Sequence, residues 1–337
     1  MTVMTTQNNA GIDDRHNAQS PAAQQDTAHL ASSSADTLQD FDDAVETPEF
    51  LQSGTSPFPE PDREPVGSDW ELEPGVKYLV ALDVDGTLVD HDGVMSPEVK
   101  DAALAAIAAG HHLVISTGRS RGATLPVCEQ LGLEEGFAVA SNGGITLQLD
   151  PSAPDHYRVL DAVTFNPGPA LQALKDALPT AKFALETADG NFFATERFQD
   201  RSFGIQAIGT DIHQLAELDA VRLVVYSSED TPENFADAIE AAGLHGVAYA
   251  VGWTAWLDVA AAGVSKASAL EQVRRHLGVD PAHTVAVGDG RNDVEMLDWA
   301  ARGVAMGQAP DEVVAVAREV TNSVYDDGAA RILRSLV

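Results

Sequence analysis

Residues 78–87, Tyr78-Leu79-Val80-Ala81-Leu82-Asp83-Val84-Asp85-Gly86-Thr87, join an aliphatic run to two acids and a glycine. A short apolar run closed by turn chemistry reads as a strand buried on both faces. Ligands in open α/β sheets gather at the carboxyl ends of strands, so Asp83 and Asp85 face a crevice and not the core. Residues i and i+2 of an extended segment point the same way, which brings both carboxylates toward one site. Two unpaired carboxylates so placed repel each other unless a divalent cation holds them. Taken alone, the four residues Asp83–Gly86 serve equally well as an Asx turn that ends a strand.

Working outward, the same rhythm repeats. Ser96-Pro97 offers an N-cap and a first-turn proline for a helix over 98–109, which Gly110 stops. Strand 112–116, a helix over about 121–131 and strand 137–141 follow. Near the C-terminus the pattern returns as helix 264–277, strand 284–288, helix 292–300, strand 303–306 and helix 311–320. Strands alternating with amphipathic helices mark an α/β fold with a parallel sheet. Residues 146–262 differ in character: strand 157–165, helix 170–178, a hairpin over 181–196 turning at Asp189-Gly190, strand 221–228, a helix from Thr231-Pro232, and paired strands at 246–251 and 255–260. Hairpins with alternating faces predict a mainly antiparallel sheet with helices on one side, hence a second domain inserted into the first.

Residues 1–75 are rich in Ser, Thr, Gln, Asn, Pro and acids, with 15 Asp and Glu against two Arg, and are expected to be a disordered acidic tail. The whole chain of 337 residues carries a formal charge of −32 with only five lysines. That balance excludes ordinary nucleic-acid and anionic-membrane binding, which need clustered Lys and Arg. Cys128 is the sole cysteine, so neither an intrachain disulfide nor a Cys-based zinc site forms, and it reads as a small core residue. With no basic start followed by an apolar segment, a cytoplasmic location is expected.

A second acidic segment, Gly288-Asp289-Gly290-Arg291-Asn292-Asp293, follows a late strand and opens a helix. Helix capping accounts for Asp289 or Asn292, but not for carboxylates at equivalent sheet positions in both halves of the chain. Asp83, Asp85, Asp289 and Asp293 at one sheet edge predict a hard-cation site, with Mg²⁺ its natural occupant. Ser116-Thr117-Gly118-Arg119 supplies hydroxyls, a flexible amide and a guanidinium where an anion sits at a helix N-terminus. Lys266, alone a surface lysine, becomes in this company a counter-charge for phosphate and nucleophile.

These four segments in this order resemble the haloacid dehalogenase superfamily of phosphatases. The forms STGR (116–119), SNGG (141–144), GDGRNDVEML (288–297) and DDG (326–328) look like its Cof-type, sugar-phosphatase-like branch. The resemblance covers about residues 77–337; Val84 stands where Leu or Phe is commoner, and the second Gly of SNGG where Ala is frequent. It implies a Rossmann-like parallel-sheet core over 76–145 and 263–337, with an α+β cap over 146–262 that selects the leaving group. It further implies that Asp83 is the nucleophile, that Asp85 is the general acid and base, and that Thr117 and Lys266 complete the catalytic set. Val84, Ser116, Thr117, Gly118, Arg119, Asn142, Lys266 and Asn292 would surround the phosphate. Mg²⁺ would be held by Asp83, the backbone carbonyl of Asp85, and Asp289, with Asp293 orienting that arrangement. The implied activity is hydrolysis of a small phosphorylated metabolite, sugar phosphates first. Phosphatases for flavin mononucleotide or pyridoxal phosphate, a sugar-phosphate mutase and a non-catalytic phosphate-binding module share the same core. Arg158, Lys175, Lys182, Arg197, Arg201 and Arg222 read mostly as surface charges, and Trp253 and Trp256 as cap packing.

Overall fold

A computed structural model describes residues 65–67, 69–196, 207–251 and 255–337. The expected tail through residue 64, together with Arg197, Arg201 and Trp253, lies outside the described residues.

Strand β1 (Leu79–Leu82) is buried on both faces, with β2 (His112–Ser116) and β12 (Thr284–Gly288) parallel on either side. Eight strands form one sheet in the order β14-β13-β12-β1-β2-β3-β4-β5. The others are β3 (Gly136–Ala140), β4 (Ile145–Leu149), β5 (Tyr157–Ala162), β13 (Arg302–Ala305) and β14 (Glu319–Val320). The sheet is parallel through β3; β4 and β5 add antiparallel strands at one edge. Side chains alternate along β1, so Val80 and Leu82 enter one core layer and Leu79 and Ala81 the other. Helices α1 (Pro97–Ala108), α2 (Arg121–Gln130) and α9 (Gly328–Arg334) cover the first layer; α6 (Lys266–Leu277), α7 (Val294–Trp299) and α8 (Asp311–Val314) cover the second. The predicted caps of α1 form: Ser96 Oγ accepts from Val99 N–H at 3.1 Å, and Pro97 opens the helix. Buried Cys128 on α2 has its thiol pushed up to about 12 by desolvation, as suits a packing residue.

The second sheet has the order β10-β11-β9-β6-β7-β8. Its strands are β6 (Lys182–Glu186), β7 (Phe192–Ala194), β8 (Ile208–Gly209), β9 (Arg222–Tyr226), β10 (Val247–Val251) and β11 (Trp256–Ala261). All pairings are antiparallel except β7 with β8. Helices α3 (Gly168–Ala177), α4 (Ile212–Ala216) and α5 (Pro232–Ala242) bury Leu171, Leu174, Leu215, Phe235 and Ile239 against Phe183, Leu185, Leu223, Val225 and Leu257 on one face. By strand alternation Glu186, Arg222 and Asp258 share the opposite face.

Three expectations are corrected. β5, read as part of the inserted domain, pairs with β4 in the core sheet, because Ile145, Leu147 and Leu149 extend the core layer outward; the insertion therefore begins after Ala162, not at 146. The predicted helix 311–320 stops after Val314, and Glu319–Val320 become edge strand β14. Finally, residues 65–67 and 69–75 are not a free tail: Val66 exchanges two 2.9 Å backbone hydrogen bonds with Val320, and the Arg302 guanidinium lies 4.2 Å from the Trp70 ring centre. An open strand edge is a ready template for such a segment. Among the described residues no helix is long and apolar enough to cross a membrane.

Candidate active site

The carboxyl ends of β1, β2, β3, β12 and β13 converge on one edge of the core sheet. Asp83 extends β1 there, its N–H donating to Val287 O at 3.0 Å. The carbonyl of Val84 accepts from Thr87, Leu88 and Val89, curling the chain into a tight turn, while the Val84 side chain is buried in the core. The side chain of Val84 is thus no part of the crevice. Gly86 turns at φ +82°, and a Cβ there would overlap the Asp289 carboxylate, so the turn demands glycine twice over.

Lys266, at the first position of α6, is fully buried, with Nζ 2.5 Å from Asp83 Oδ1 and 2.6 Å from Asp293 Oδ1. Asp293 Oδ2 accepts from the backbone N–H of Asp289 at 3.0 Å and of Gly290 at 2.9 Å, so the loop 288–293 is folded around this carboxylate. Asp289 faces Thr87 Oγ1 at 3.4 Å and Gln308 Nε2 at 3.4 Å. Carboxylate oxygens of Asp83, Asp289 and Asp293 lie within 4.8 Å of one another.

Burial pushes Asp83 up to about 7, with Asp293 adding to the rise and Lys266 opposing it. Asp289 is raised well above the ordinary carboxylate range, by burial first and then by Asp83 and Asp293. Burial pulls the Lys266 ammonium down, but Asp293 and Asp83 together hold it above its usual value.

Asp85 departs from the expected cluster. Its carboxylate is 58% exposed and takes two hydrogen bonds from Arg119, Nε to Oδ2 at 2.9 Å and Nη2 to Oδ1 at 2.6 Å. Its side chain is therefore absent from the three-carboxylate group, and Arg119, expected on phosphate, is directed at Asp85. Thr117 is buried with Oγ1 accepting from Arg119 N–H at 3.1 Å. Ser116 Oγ is buried at the end of β2 and meets no hydrogen-bond partner among the described residues. Asn142, beside Gly118, accepts at Oδ1 from Asn292 Nδ2 at 2.9 Å, joining the SNGG and GDGRND segments across 150 positions of sequence.

Several participants were not singled out from sequence. Gln308 Nε2 donates to Gly86 O at 2.5 Å, and its Oε1 accepts from Val324 N–H at 3.0 Å, bracing the loop after β1. Its position just past β13, at the same sheet edge, is the signal that could have found it. From the cap face come Glu186, buried Arg222 and Asp258: Arg222 Nε bonds Asp258 Oδ1 at 2.7 Å, and Asn142 Nδ2 bonds Asp258 Oδ2 at 3.3 Å. Arg222, expected at the surface, is 3% exposed. Arg158 and Lys182 do form outward ion pairs, with Asp150 and Glu196, and Trp256 packs beside Tyr226. Asp189-Gly190 is a hairpin turn as expected, but its Asp189 carbonyl also accepts from Arg121 Nη2 at 2.6 Å.

A family model for haloacid dehalogenase-like hydrolases matches residues 80–333. The chain belongs to this family. Among its relatives, the 5-amino-6-(5-phospho-D-ribitylamino)uracil phosphatase YitU of Bacillus subtilis (strain 168) is 27% identical over 268 residues, which cover 76% of this chain and 96% of that protein. The phosphoglycolate phosphatase of Natronomonas pharaonis is 29% identical over 250 residues, covering 74% of this chain and 93% of the other. Among solved structures, the subclass IIB sugar phosphatase BT4131 shares the fold with a TM-score of 0.65 at 22% identity, over 77% of this chain and 98% of that one.

The site of this hydrolase suits a hard divalent cation. Three clustered carboxylates face one ammonium, leaving two negative charges when all are ionised, and every donor in the set is oxygen. The upward displacement of Asp83 and Asp289 comes first from burial and then from the neighbouring carboxylates, and a bound cation would relieve both causes. Asp83 and Asp289 are the residues best placed to offer oxygens, since Asp83 is held through Oδ1 and Asp289 has only two long contacts of 3.4 Å, whereas both oxygens of Asp293 are held at 3.0 Å or less.

Proposed function

We propose that this hydrolase is a Mg²⁺-dependent phosphomonoesterase that cleaves a small phosphorylated metabolite, sugar phosphates first, through an aspartyl-phosphate. The observation that carries the reading is the division of labour between two acids two residues apart. Asp83 is buried against Lys266, while Asp85 stands exposed in the fork of Arg119. A nucleophile has to be desolvated and charge-balanced; a proton carrier has to reach both the leaving oxygen and water.

In this reading an oxygen of Asp83 attacks phosphorus, and Lys266 holds the charge that gathers between carboxylate and phosphoryl group. Asp85 gives a proton to the departing alkoxide, then takes one from the water that opens the acyl phosphate, so two displacements leave the enzyme unchanged. Thr117, the amides of Val84 and Gly118, and the Asn142–Asn292 pair orient the phosphoryl oxygens. Arg119 sets the direction of Asp85. Bound at Asp83 and Asp289, Mg²⁺ would supply neutralisation of the phosphoryl charge.

The test is phosphate release by the purified full chain from a panel of phosphorylated metabolites, with and without Mg²⁺. Ribityl and glycolyl phosphates belong beside the sugar phosphates, given the names of the relatives. Turnover only with Mg²⁺, and none in Asp83→Asn, is expected. Persistent turnover in Asp83→Asn removes Asp83 as nucleophile; label exchange between sugar positions without free phosphate marks a mutase instead.

A further inference from the structure

The turn Ser141-Asn142-Gly143-Gly144 is held from four directions. Ser141 and Asn142 both adopt left-handed backbone conformations, at φ +52° and +53°, which L side chains rarely occupy. Such a conformation persists only where the surroundings over-determine it. From the cap, Glu186 Oε2 accepts from Ser141 Oγ at 2.6 Å, and its Oε1 accepts from the Arg121 N–H at 3.2 Å, at the N-terminus of the ten-residue helix α2. Also from the cap, Asp258 accepts from Asn142 Nδ2. From the core, Asn292 reaches Asn142 Oδ1. Behind the turn, Gly143 lies so close to the carbonyl of Ser265 that a Cβ would overlap it, and Ser265 is the N-cap of the helix that Lys266 begins.

Glu186 itself is buried among charges: Arg222 lies opposite it in the β6–β9 pairing, and Arg222 in turn bonds Asp258. Placing a carboxylate in such a position is unfavourable unless every lone pair has a use. We infer that Glu186 is a positioning residue: seated by the cap onto Ser141 and the start of α2, it holds the left-handed turn that in turn sets Asn142 and the helix end carrying Lys266. Cap seating and assembly of the phosphate site are then one event, because both depend on the turn 141–144 and its hydrogen bonds to Glu186 and Asp258. The inference rests on the phosphatase reading for its kinetic arm, but not for its structural one.

The experiment uses the full chain with Glu186→Gln, Ser141→Ala and Ser141→Gly, assayed with Mg²⁺ on p-nitrophenyl phosphate, whose leaving group asks little of the cap. Glu186→Gln is expected to lower kcat about tenfold with KM nearly unchanged, the pattern of lost transition-state positioning. The two Ser141 variants remove the same hydroxyl, yet glycine adopts positive φ without strain. Ser141→Gly should therefore keep a kcat at least about threefold above that of Ser141→Ala. Amide hydrogen exchange should quicken at 141–145 and 265–269 in Glu186→Gln and Ser141→Ala while the rest of the core keeps its protection. Equal kcat in the two Ser141 variants, or unaltered kcat and exchange in Glu186→Gln, overturns the inference. Should Glu186→Gln fail to fold, the Ser141 pair decides alone. Wild-type protein inert toward p-nitrophenyl phosphate and toward the whole metabolite panel would remove the phosphatase reading and leave the exchange measurement to judge the turn.

Discussion

Lys266 and Asp83 meet at 2.5 Å although 183 positions separate them, and the ammonium between Asp83 and Asp293 is completely buried. The contact spans the insertion, so the two halves of the core sheet have to close correctly before it exists. Removing one member of a buried charge group leaves the others uncompensated, which costs about 3–5 kcal/mol. Lys266→Met is expected to lower the melting temperature by several degrees and to reduce turnover about a thousandfold. Steady-state kinetics beside a thermal melt measures both; retained turnover would detach Lys266 from the chemistry.

The raised acids give a pH signature whose sign is fixed. A carboxylate with a folded-state value near 7, against an ordinary 3.8, binds more protons folded than unfolded between those limits. Stability attributable to Asp83 is thus fullest in acid and declines as pH rises from about 4 through about 7, with Asp289 acting in the same direction. In EDTA the melting temperature should fall over that window, and saturating Mg²⁺ should flatten the fall by favouring the ionised acids. A flat profile in EDTA would mean that the two carboxylates are neither desolvated nor crowded in solution.

Gly86 separates the needs of metal and backbone. Gly86→Ala combines a positive φ with overlap of the Asp289 carboxylate. It should weaken Mg²⁺ binding, read by calorimetry, by at least about tenfold, the loss typical of disturbing groups that orient metal ligands. Unchanged affinity would show that Asp289 can move aside at no cost.

Much of this was legible in sequence because it is local. Strand β1, the Ser96-Pro97 cap and the acids after β1 and β12 each declare themselves within ten residues, and the sheet-edge rule gathers them. The missing parts are relations between strands. β5 carries the hairpin-like pattern of the cap, and only pairing with β4 assigns it to the core. Alternation places Glu186 and Asp258 on the face opposite the apolar one, but not whether that face meets water or protein. Arg222 reads as a surface charge because burial of an arginine depends on Asp258 and Glu186, which are distant in sequence. The short strand β14 follows an acid-rich amphipathic run that favours helix until Val66 and β13 supply its pairing.

That edge makes its own prediction. Chains begun at Pro65 and at Val76 differ by the Val66–Val320 bridge and by Trp70 stacked on Arg302, whose guanidinium also holds Glu319 at 2.9 Å. Two backbone hydrogen bonds and one cation–π contact together amount to about 2 kcal/mol. Denaturant unfolding should show the longer chain more stable by that order; equal midpoints would make the docking of this segment energetically idle.

The Arg119–Asp85 pair bears most directly on how turnover proceeds. The Arg119 guanidinium takes both oxygens of Asp85 and so fixes the plane of the carboxylate; a free water depends on that aim more than a leaving oxygen already tethered to the bound phosphoryl group does. Arg119 should therefore assist the second displacement more than the first. In Arg119→Met the aspartyl-phosphate should accumulate, with rapid release of one equivalent of leaving group followed by steady turnover slowed about ten- to a hundredfold. Quenched-flow release of p-nitrophenol measures the burst. A slowed reaction with no burst would place Arg119 on the first displacement, as an orienter of the substrate phosphate and not of Asp85.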